Sequence, residues 1–291
     1  MKKIAIVFNQ KSGFSLTDKK AEIEQACKDC GVAYEFVQID KKFEVSLDTL
    51  RERFAYEIVV AAGGDGTVNA VANYVLKHDL PMAVLPVGTL NHFAKESGAP
   101  LTIAEAMQKI AEGTMQTVDV SDVNGTYFVN NSSVGFYPAM VHRREKLQKY
   151  ITKWPALLVA FVTELFVLRR HRAELSIDGK KVEHKVSFIF IGNNSYEIEA
   201  GSFQRVNNLQ EGQLCVYVLK TAKFSKMLRI VWRVLRGKLN DETAFETYTA
   251  RSVRIEWPKS AAYVAFDGEV RHTQTPLVYT IHPQSLQVII S

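Results

Sequence analysis

Five consecutive residues, Gly63-Gly64-Asp65-Gly66-Thr67, combine what an anion-binding turn needs with one group that opposes it. Without side chains, glycines let a ligand approach the backbone closely. The apolar run 56–62 before them reads as a buried strand, and the run 68–76 after them as a helix. The first turn of that helix offers unpaired N–H groups and the positive end of its dipole, which suits a polyphosphate. Asp65 would repel a bare phosphate, so its position implies a metal ion or a substrate hydroxyl beside it. An ordinary strand-to-helix turn leaves that acid unexplained. Two further loops share the setting. Asn9-Gln10-Lys11-Ser12-Gly13 follows an expected strand at 3–8, and Pro86-Val87-Gly88-Thr89-Leu90-Asn91 follows one at 82–85. Lys11, Ser12 and the hydroxyls of Thr67 and Thr89 are groups that meet phosphate. None of the three loops fits the P-loop pattern or the G-x-G-x-x-G dinucleotide fingerprint.

The elements that must carry these loops alternate. Strands are expected at 3–8, 32–39, 56–62 and 82–85, and helices at 17–30, 45–54 and 102–112 as well as after the glycine loop. Gly31 supplies a stop for the helix at 17–30. Such alternation predicts an α/β domain, a parallel sheet with helices on both faces, whose loops emerge together at the carboxyl edge. After about residue 118 the texture changes. Strands are expected at 118–120, 127–130, 186–192, 213–220, 247–257, 262–267, 277–282 and 286–290, and helices at 138–172 and 224–235. This predicts a mostly antiparallel β domain with inserted helices, and a division into 1–118 and 119–291.

The chain has 291 residues, 47% hydrophobic and 23% charged, enough for a real core in each domain. A formal net charge of +5 suits nucleotides or anionic lipid surfaces and is too small to argue for nucleic acid. Three cysteines, an odd number, point to a reducing compartment. Cys27 and Cys30 are spaced C-x-x-C within an expected helix, with no second pair to complete a metal site. The Met-Lys-Lys start leads directly into a strand without the apolar core of a signal peptide. The apolar stretch 154–168, interrupted by Pro155, Thr163 and Glu164, falls short of the ~20 residues that span a bilayer. The expectation is a cytoplasmic protein with peripheral contact at the inner membrane face.

At these loops the sequence resembles the diacylglycerol kinase catalytic family of lipid kinases, including bacterial lipid kinases and the sphingosine and ceramide kinases. Asn9-Gln10-Lys11-Ser12-Gly13 matches the family's N-P-x-S-G, residues 63–67 its GGDGT, and residues 86–94 its P-x-G-T-x-N-D-x-A. Asn131-Ser132-Ser133-Val134-Gly135-Phe136 looks like the strand after the domain junction, and Asp267-Gly268-Glu269 like the family's D-G-E. The resemblance implies a two-domain kinase with ATP on the N-terminal domain, a lipid acceptor in an interdomain cleft, and Mg2+ as cofactor. It places the nucleotide at Asn9, Gln10, Lys11, Ser12 and Gly13, at Gly63, Gly64, Asp65, Gly66, Thr67, Val68 and Asn69, and at Thr89. It places the general base at Glu269, a carboxylate of the kind that accepts a proton from an attacking hydroxyl. Asp65 is the competing candidate, as base or as the partner of Mg2+ or the hydroxyl. A structural Mg2+ site around a D-G-L segment falls on Asn208, Glu211 and Gln213, with Glu in place of Asp. His92 stands where many members have Asp, and Gln10 where many have Pro.

The segment 142–172 sets Arg143, Arg144, Lys146, Lys149 and Lys153 before an apolar centre and Arg169, Arg170 and Arg172 after it. It reads either as a membrane-facing surface marked by Trp154 and Phe161, or as a long helix packed on the second domain with solvated charges. Two other functional readings stay open. An NAD kinase or phosphofructokinase-like kinase also carries a GGDG loop, although G-x-L-G-F is missing and GTLN is present here. A non-catalytic lipid- or nucleotide-binding regulator would need neither Asp65 nor Glu269. A homodimer is left open by exposed sheet edges in the second domain. The acceptor is read as a lipid such as diacylglycerol.

Overall fold

A computed structural model describes residues 1–9, 16–88, 92–96, 98–167, 171–186, 188–199, 202–205, 210–219 and 245–289. They form two compact units, Met1–Val120 with Pro283–Ser291, and Ser121–His282.

The first unit alternates as its sequence does: β1 (Lys3–Phe8), α1 (Leu16–Asp29), β2 (Ala33–Gln38), α2 (Phe43–Phe54), β3 (Ile58–Ala62), α3 (Asp65–His78), β4 (Met82–Leu85), α4 (His92–Glu96), α5 (Ile103–Glu112) and the start of β5 (Met115–Val123). The strands lie in the order β2-β1-β3-β4, all parallel. β3 is central and all five of its residues are buried, as expected of a strand covered on both faces. Ile4, Ile6, Ile58 and Val60 form one core with Ile23 and Cys27 of α1 and Met107 and Ile110 of α5. The tyrosines Tyr56 and Tyr74 join hydroxyls at 2.9 Å, and Tyr74 donates to Asp48 of α2 at 2.8 Å, which ties α2 to α3. Thr102 caps α5 by accepting the Glu105 N–H at 3.3 Å.

The second unit continues with β6 (Thr126–Phe128), β7 (Asn131–Gly135), α6 (Phe136–Leu147), α7 (Lys153–Val167), β8 (His171–Ile177), β9 (Lys180–Val186), β10 (Phe188–Asn193), β11 (Tyr196–Glu199), β12 (Ser202–Arg205), β13 (Leu214–Leu219), β14 (Phe245–Ala250), β15 (Ser252–Glu256), β16 (Ala261–Phe266), β17 (Glu269–Gln274) and β18 (Leu277–Ile289). One antiparallel sheet runs β14-β13-β10-β7-β16-β17. β15 pairs antiparallel with β8 and with the first residues of β18. Val134, Ile189, Val216 and Val264 from the first set bury against Leu175, Val253, Ile255 and Tyr279 from the second. Alternate residues of each strand supply that core, the period-2 signature of packed sheets.

Three expectations change. The helix foreseen over 138–172 is two helices and a strand: α6 ends at Leu147, α7 begins at Lys153, and the chain is extended again from His171. Pro155 sits in the first turn of α7, where its missing N–H costs no helical bond. The strand foreseen over 247–257 is β14 and β15, which belong to different sheets. They part at Arg251, where the Asp178 carboxylate takes the N–H groups of Arg251 and Ser252 at 2.9 Å each. The segment from 277 onward is one long strand, and its last residues leave the second domain. Val288 and Ile289 pair parallel with Met82 and Ala83 of β4, and the Gln284 N–H reaches the Asp119 carboxylate at 2.8 Å. The first unit therefore reclaims Pro283–Ser291 and extends to Val120. The helix expected at 224–235 lies outside the described residues.

Candidate active site

The three motif loops start from one row of the sheet. Phe8, the last residue of β1, pairs with Ala62, the last of β3, and Ala62 pairs with Leu85, the last of β4. Neighbouring strands sit about 4.8 Å apart, so the loops beginning at Asn9, Gly63 and Pro86 leave the carboxyl edge side by side. Of the nucleotide residues foreseen, Gln10, Lys11, Ser12, Gly13 and Thr89 lie outside the described residues. So do Asn208, Arg169 and Arg170, and the side chain of His92, the first residue of α4.

The central loop is described in full. Gly64 is the N-cap of α3, with extended backbone, and its carbonyl accepts the N–H groups of Thr67 at 2.8 Å and Val68 at 3.1 Å. The amides of Asp65 and Gly66 precede the first intrahelical bonds, which is where a helix offers N–H groups to an anion. The glycines have different reasons. A Cβ on Gly63 would collide with the Thr67 side chain, whereas one on Gly64 would meet nothing within 4 Å. Internal packing demands Gly63, and among the described residues the space beside Gly64 is open. The Thr67 hydroxyl is buried, with no hydrogen-bond partner among the described residues. A phosphate oxygen would satisfy it, so the loop fits a nucleotide polyphosphate.

Asp65 has a partner that the sequence did not suggest. Its Oδ1 accepts the backbone N–H of Phe93 at 3.4 Å, so the acid also holds the start of α4. Val68 is buried in the core, and its share in any site is its backbone. Asn69, also buried, accepts the Asn73 side-chain amide at 3.2 Å on its own oxygen.

In the second unit, Asp267 and Gly268 form the β16–β17 turn with φ of 45° and 89°, the left-handed pair of a tight hairpin. Asp267 is a linchpin. Its carboxylate takes the N–H groups of Val129 at 2.9 Å, Asn130 at 2.8 Å and Asn131 at 3.0 Å. Glu269, two residues on, is left exposed as the first residue of β17, with Arg271 Nη2 at 3.4 Å. Of the D-G-E segment, the first acid is structural and the second is available for chemistry. The same junction is braced by Asn193, which accepts from Ser121 at 2.8 Å and donates to the Val129 carbonyl at 2.9 Å. Neither Asp267 nor Asn193 was foreseen in these roles. An Asx residue before a hairpin glycine was the signal for the first.

Glu211 is engaged by hydrogen-bond donors. Its Oε2 accepts the Ser195 N–H at 3.1 Å, the Ser195 hydroxyl, and the Gln213 side-chain N–H at 3.4 Å. Gln213 turns its nitrogen rather than its oxygen toward that carboxylate. Glu211 and Gln213 therefore lie together, with Ser195 beside them. Among the described residues, no three His, Cys, Asp or Glu side chains converge as metal ligands. Cys27 lies against the Met107 sulfur at 3.8 Å, and burial pushes its thiol up to about 12, the state of an inert core cysteine.

A parallel α/β unit with three loops on one sheet edge, followed by an antiparallel β unit, is the architecture of two-domain diacylglycerol kinase-like proteins. Two solved chains from Bacillus anthracis (strain Sterne) share it. One, titled a diacylglycerol kinase, superposes with a TM-score of 0.68 at 21% identity, and the other with 0.71 at 19%; each match covers 100% of this chain and 97% of the other. Residues 3–123 match the family described as "Diacylglycerol kinase catalytic domain", and residues 133–290 the one described as "YegS C-terminal NAD kinase beta sandwich-like domain". A Bacillus subtilis (strain 168) protein named diacylglycerol kinase is 28% identical over 264 residues, 86% of this chain and 85% of that one. The chain belongs to the diacylglycerol kinase-like family of lipid kinases.

Proposed function

We propose that the protein transfers the γ-phosphoryl group of ATP to a hydroxyl of a lipid such as diacylglycerol. The observation that carries this reading is the aligned row Phe8, Ala62 and Leu85, which starts three phosphate-type loops together beside the open space at Gly64. The amides that open α3 and the Thr67 hydroxyl would hold the nucleotide's phosphates. Asp65 would orient the Mg2+ or the acceptor hydroxyl while tethering the start of α4 through Phe93. When bound, Mg2+ neutralises charge on the phosphates.

Glu269 would take the proton of the acceptor hydroxyl as its oxygen bonds to phosphorus and the bond to ADP breaks. Its exposure leaves the carboxylate reachable, with Arg271 Nη2 at 3.4 Å beside it. The Bacillus subtilis relative's name supports diacylglycerol as the first acceptor to try. The description of the second matched domain makes NAD the control acceptor.

The test is radiolabelled ATP and Mg2+ with total lipid extract, short-chain diacylglycerol or NAD. A labelled lipid is expected, with the rate reduced about 10²–10⁴-fold in Glu269→Gln. Labelled NAD would favour the NAD kinase reading. No labelled product, with nucleotide binding intact, would favour a non-catalytic regulator.

A further inference from the structure

Phe8 closes β1 at the carboxyl edge with an aromatic ring. Ile4 and Ile6 before it are buried in the core shared with α1 and α5, and Phe8, next on that face, is only partly buried. Its ring meets Phe36 of β2 edge-on at 5.6 Å, and Phe36 meets Tyr34 in the same way at 5.5 Å. Lys20 of α1 sets its ammonium over the Phe36 ring, 4.8 Å from the centroid. The Phe8 backbone is fixed too, its carbonyl accepting the Ile39 N–H at 2.8 Å. The rim of a core needs apolar volume, which a leucine would supply. A braced aromatic plane is more than that rim requires.

The strand order β2-β1-β3-β4 puts this plane beside the place where a ligand enters. From β1 the chain moves outward to β2, and from β3 it moves the opposite way to β4. Right-handed crossovers therefore send α1 and α3 to opposite faces of the sheet. The ends of β1 and β3 part at Phe8 and Ala62, and such a switch point is where open α/β sheets take their ligands. On the β3 side lie the amides that open α3 and the Thr67 hydroxyl, groups suited to phosphate. On the β1 side lie Phe8 and Phe36, whose rings offer a flat apolar surface. Strand spacings of about 4.8 Å separate β3 from β1 and β1 from β2. The ribose of a nucleotide bridges a span of this order between its phosphates and its base. The crevice thus has a polar half for phosphates and an aromatic half for a base.

We propose that Phe8, braced by Phe36, is the platform on which the base of the nucleotide rests, and that it selects the broad purine plane over a pyrimidine. Stacking of this kind follows ring area and ignores exocyclic groups, so adenine and guanine are accepted alike. The platform rests on the nucleotide reading of the glycine loop, and inorganic tripolyphosphate, which has no base, separates the two. Calorimetry on the full-length protein compares tripolyphosphate with non-hydrolysable ATP, GTP and CTP analogues. Wild type should bind both purine analogues within about threefold of each other and the cytidine analogue about tenfold more weakly. Phe8→Leu keeps the apolar volume and should melt as wild type does. It should lose about tenfold or more in affinity for the ATP analogue and keep its affinity for tripolyphosphate. Phe8→Trp should restore the nucleotide affinity, and the emission it adds should change with the ATP analogue but not with tripolyphosphate. That emission decides the matter by itself if Phe8→Leu melts early, and an unchanged emission overturns the platform. So does full affinity for the ATP analogue in Phe8→Leu, or an equal loss for analogue and tripolyphosphate, because the ring would then be a core rim or a prop for the phosphate loop. A cytidine analogue bound as tightly as the adenine one overturns it as well. Wild type that binds tripolyphosphate and no nucleotide overturns the platform and leaves the phosphate site standing. Wild type that binds neither overturns the nucleotide reading and the platform with it.

Discussion

The carboxylate of Asp65 accepts the backbone N–H of Phe93 at 3.4 Å, which couples the glycine loop after β3 to the helix that follows the loop after β4. One acid therefore has a structural duty and is left a second oxygen for chemistry. The two can be separated. Asp65→Asn keeps an acceptor for Phe93 and removes the charge, whereas Asp65→Ala removes both. Turnover should fall at least a hundredfold in each. Nucleotide affinity, measured by calorimetry with a non-hydrolysable analogue, should stay near wild type in Asp65→Asn and fall about tenfold in Asp65→Ala, the worth of one hydrogen bond to a charged group. Equal affinities in the two variants would remove the tether from the account.

Gly63 and Gly64 should fail differently. A methyl group on Gly63 overlaps the Thr67 side chain, so Gly63→Ala should cost about 1–3 kcal/mol and lower the melting temperature without ligand. Gly64→Ala has open space, so melting should be unchanged while nucleotide binding weakens. Thermal melts with and without nucleotide read both effects. A destabilised Gly64→Ala variant would mean that this space is not reserved for a ligand.

The two acids of the β16–β17 turn should separate stability from activity. Asp267→Ala strands three backbone N–H groups of residues 129–131 and should cost about 2–4 kcal/mol in urea denaturation. Glu269→Gln, at an exposed position, should lie within about 0.5 kcal/mol of wild type while its phosphoryl transfer collapses. A large stability loss in Glu269→Gln would turn its assigned chemistry into a structural role.

His142 sets a pH dependence. Its ring stacks on Tyr263 at 4.1 Å, and burial, then the neighbouring Lys146, hold its pKa below the ordinary 6.5; Glu145 acts the other way, and His272 and Arg143 add to the lowering. A histidine whose folded value is depressed binds its proton more readily in the unfolded chain. The stabilising contribution is thus whole above about pH 6.5 and is lost as pH falls through the lower folded value. Unfolding midpoints should drop from pH 7.5 to pH 5.5, and His142→Phe should shrink the drop. An unchanged drop would assign it to other groups.

How much of this was legible depended on how far apart the partners lie in the chain. The strands β1 to β4 and the long helices of the first unit were read to within about two residues, because Ile58–Ala62 and Asp65–His78 carry their periodicity locally and Thr102 caps its own helix. In the second half local signals misled. Basic clusters on both sides of the apolar run of α7 read as one long amphipathic segment, hiding both the break after Leu147 and the β8–β9 hairpin. The Asp178-Gly179 pair was the available hairpin signal, and it turns with φ of 45° and 81°. What divides 247–257 is Asp178, seventy-odd positions earlier, gripping Arg251 and Ser252. Likewise the burden on Asp267 is set by residues 129–131. No window along the sequence contains such pairs, so propensity alone could not find them.

The return of β18 to β4 has a consequence for how the protein is made. On the ribosome, the strands that bear the glycine loops emerge well before Val288 and Ile289, which cover the open side of β4. Until then β4 presents a bare row of N–H and C=O groups, a template for wrong partners. The second unit, Ser121–His282, has its own residues synthesised before Val288 and can complete its pairing earlier. Maturation of the loop-bearing unit is thereby deferred until Val288 and Ile289 have emerged, and a nascent chain that stalls before Val288 would hold an unsealed sheet that invites aggregation.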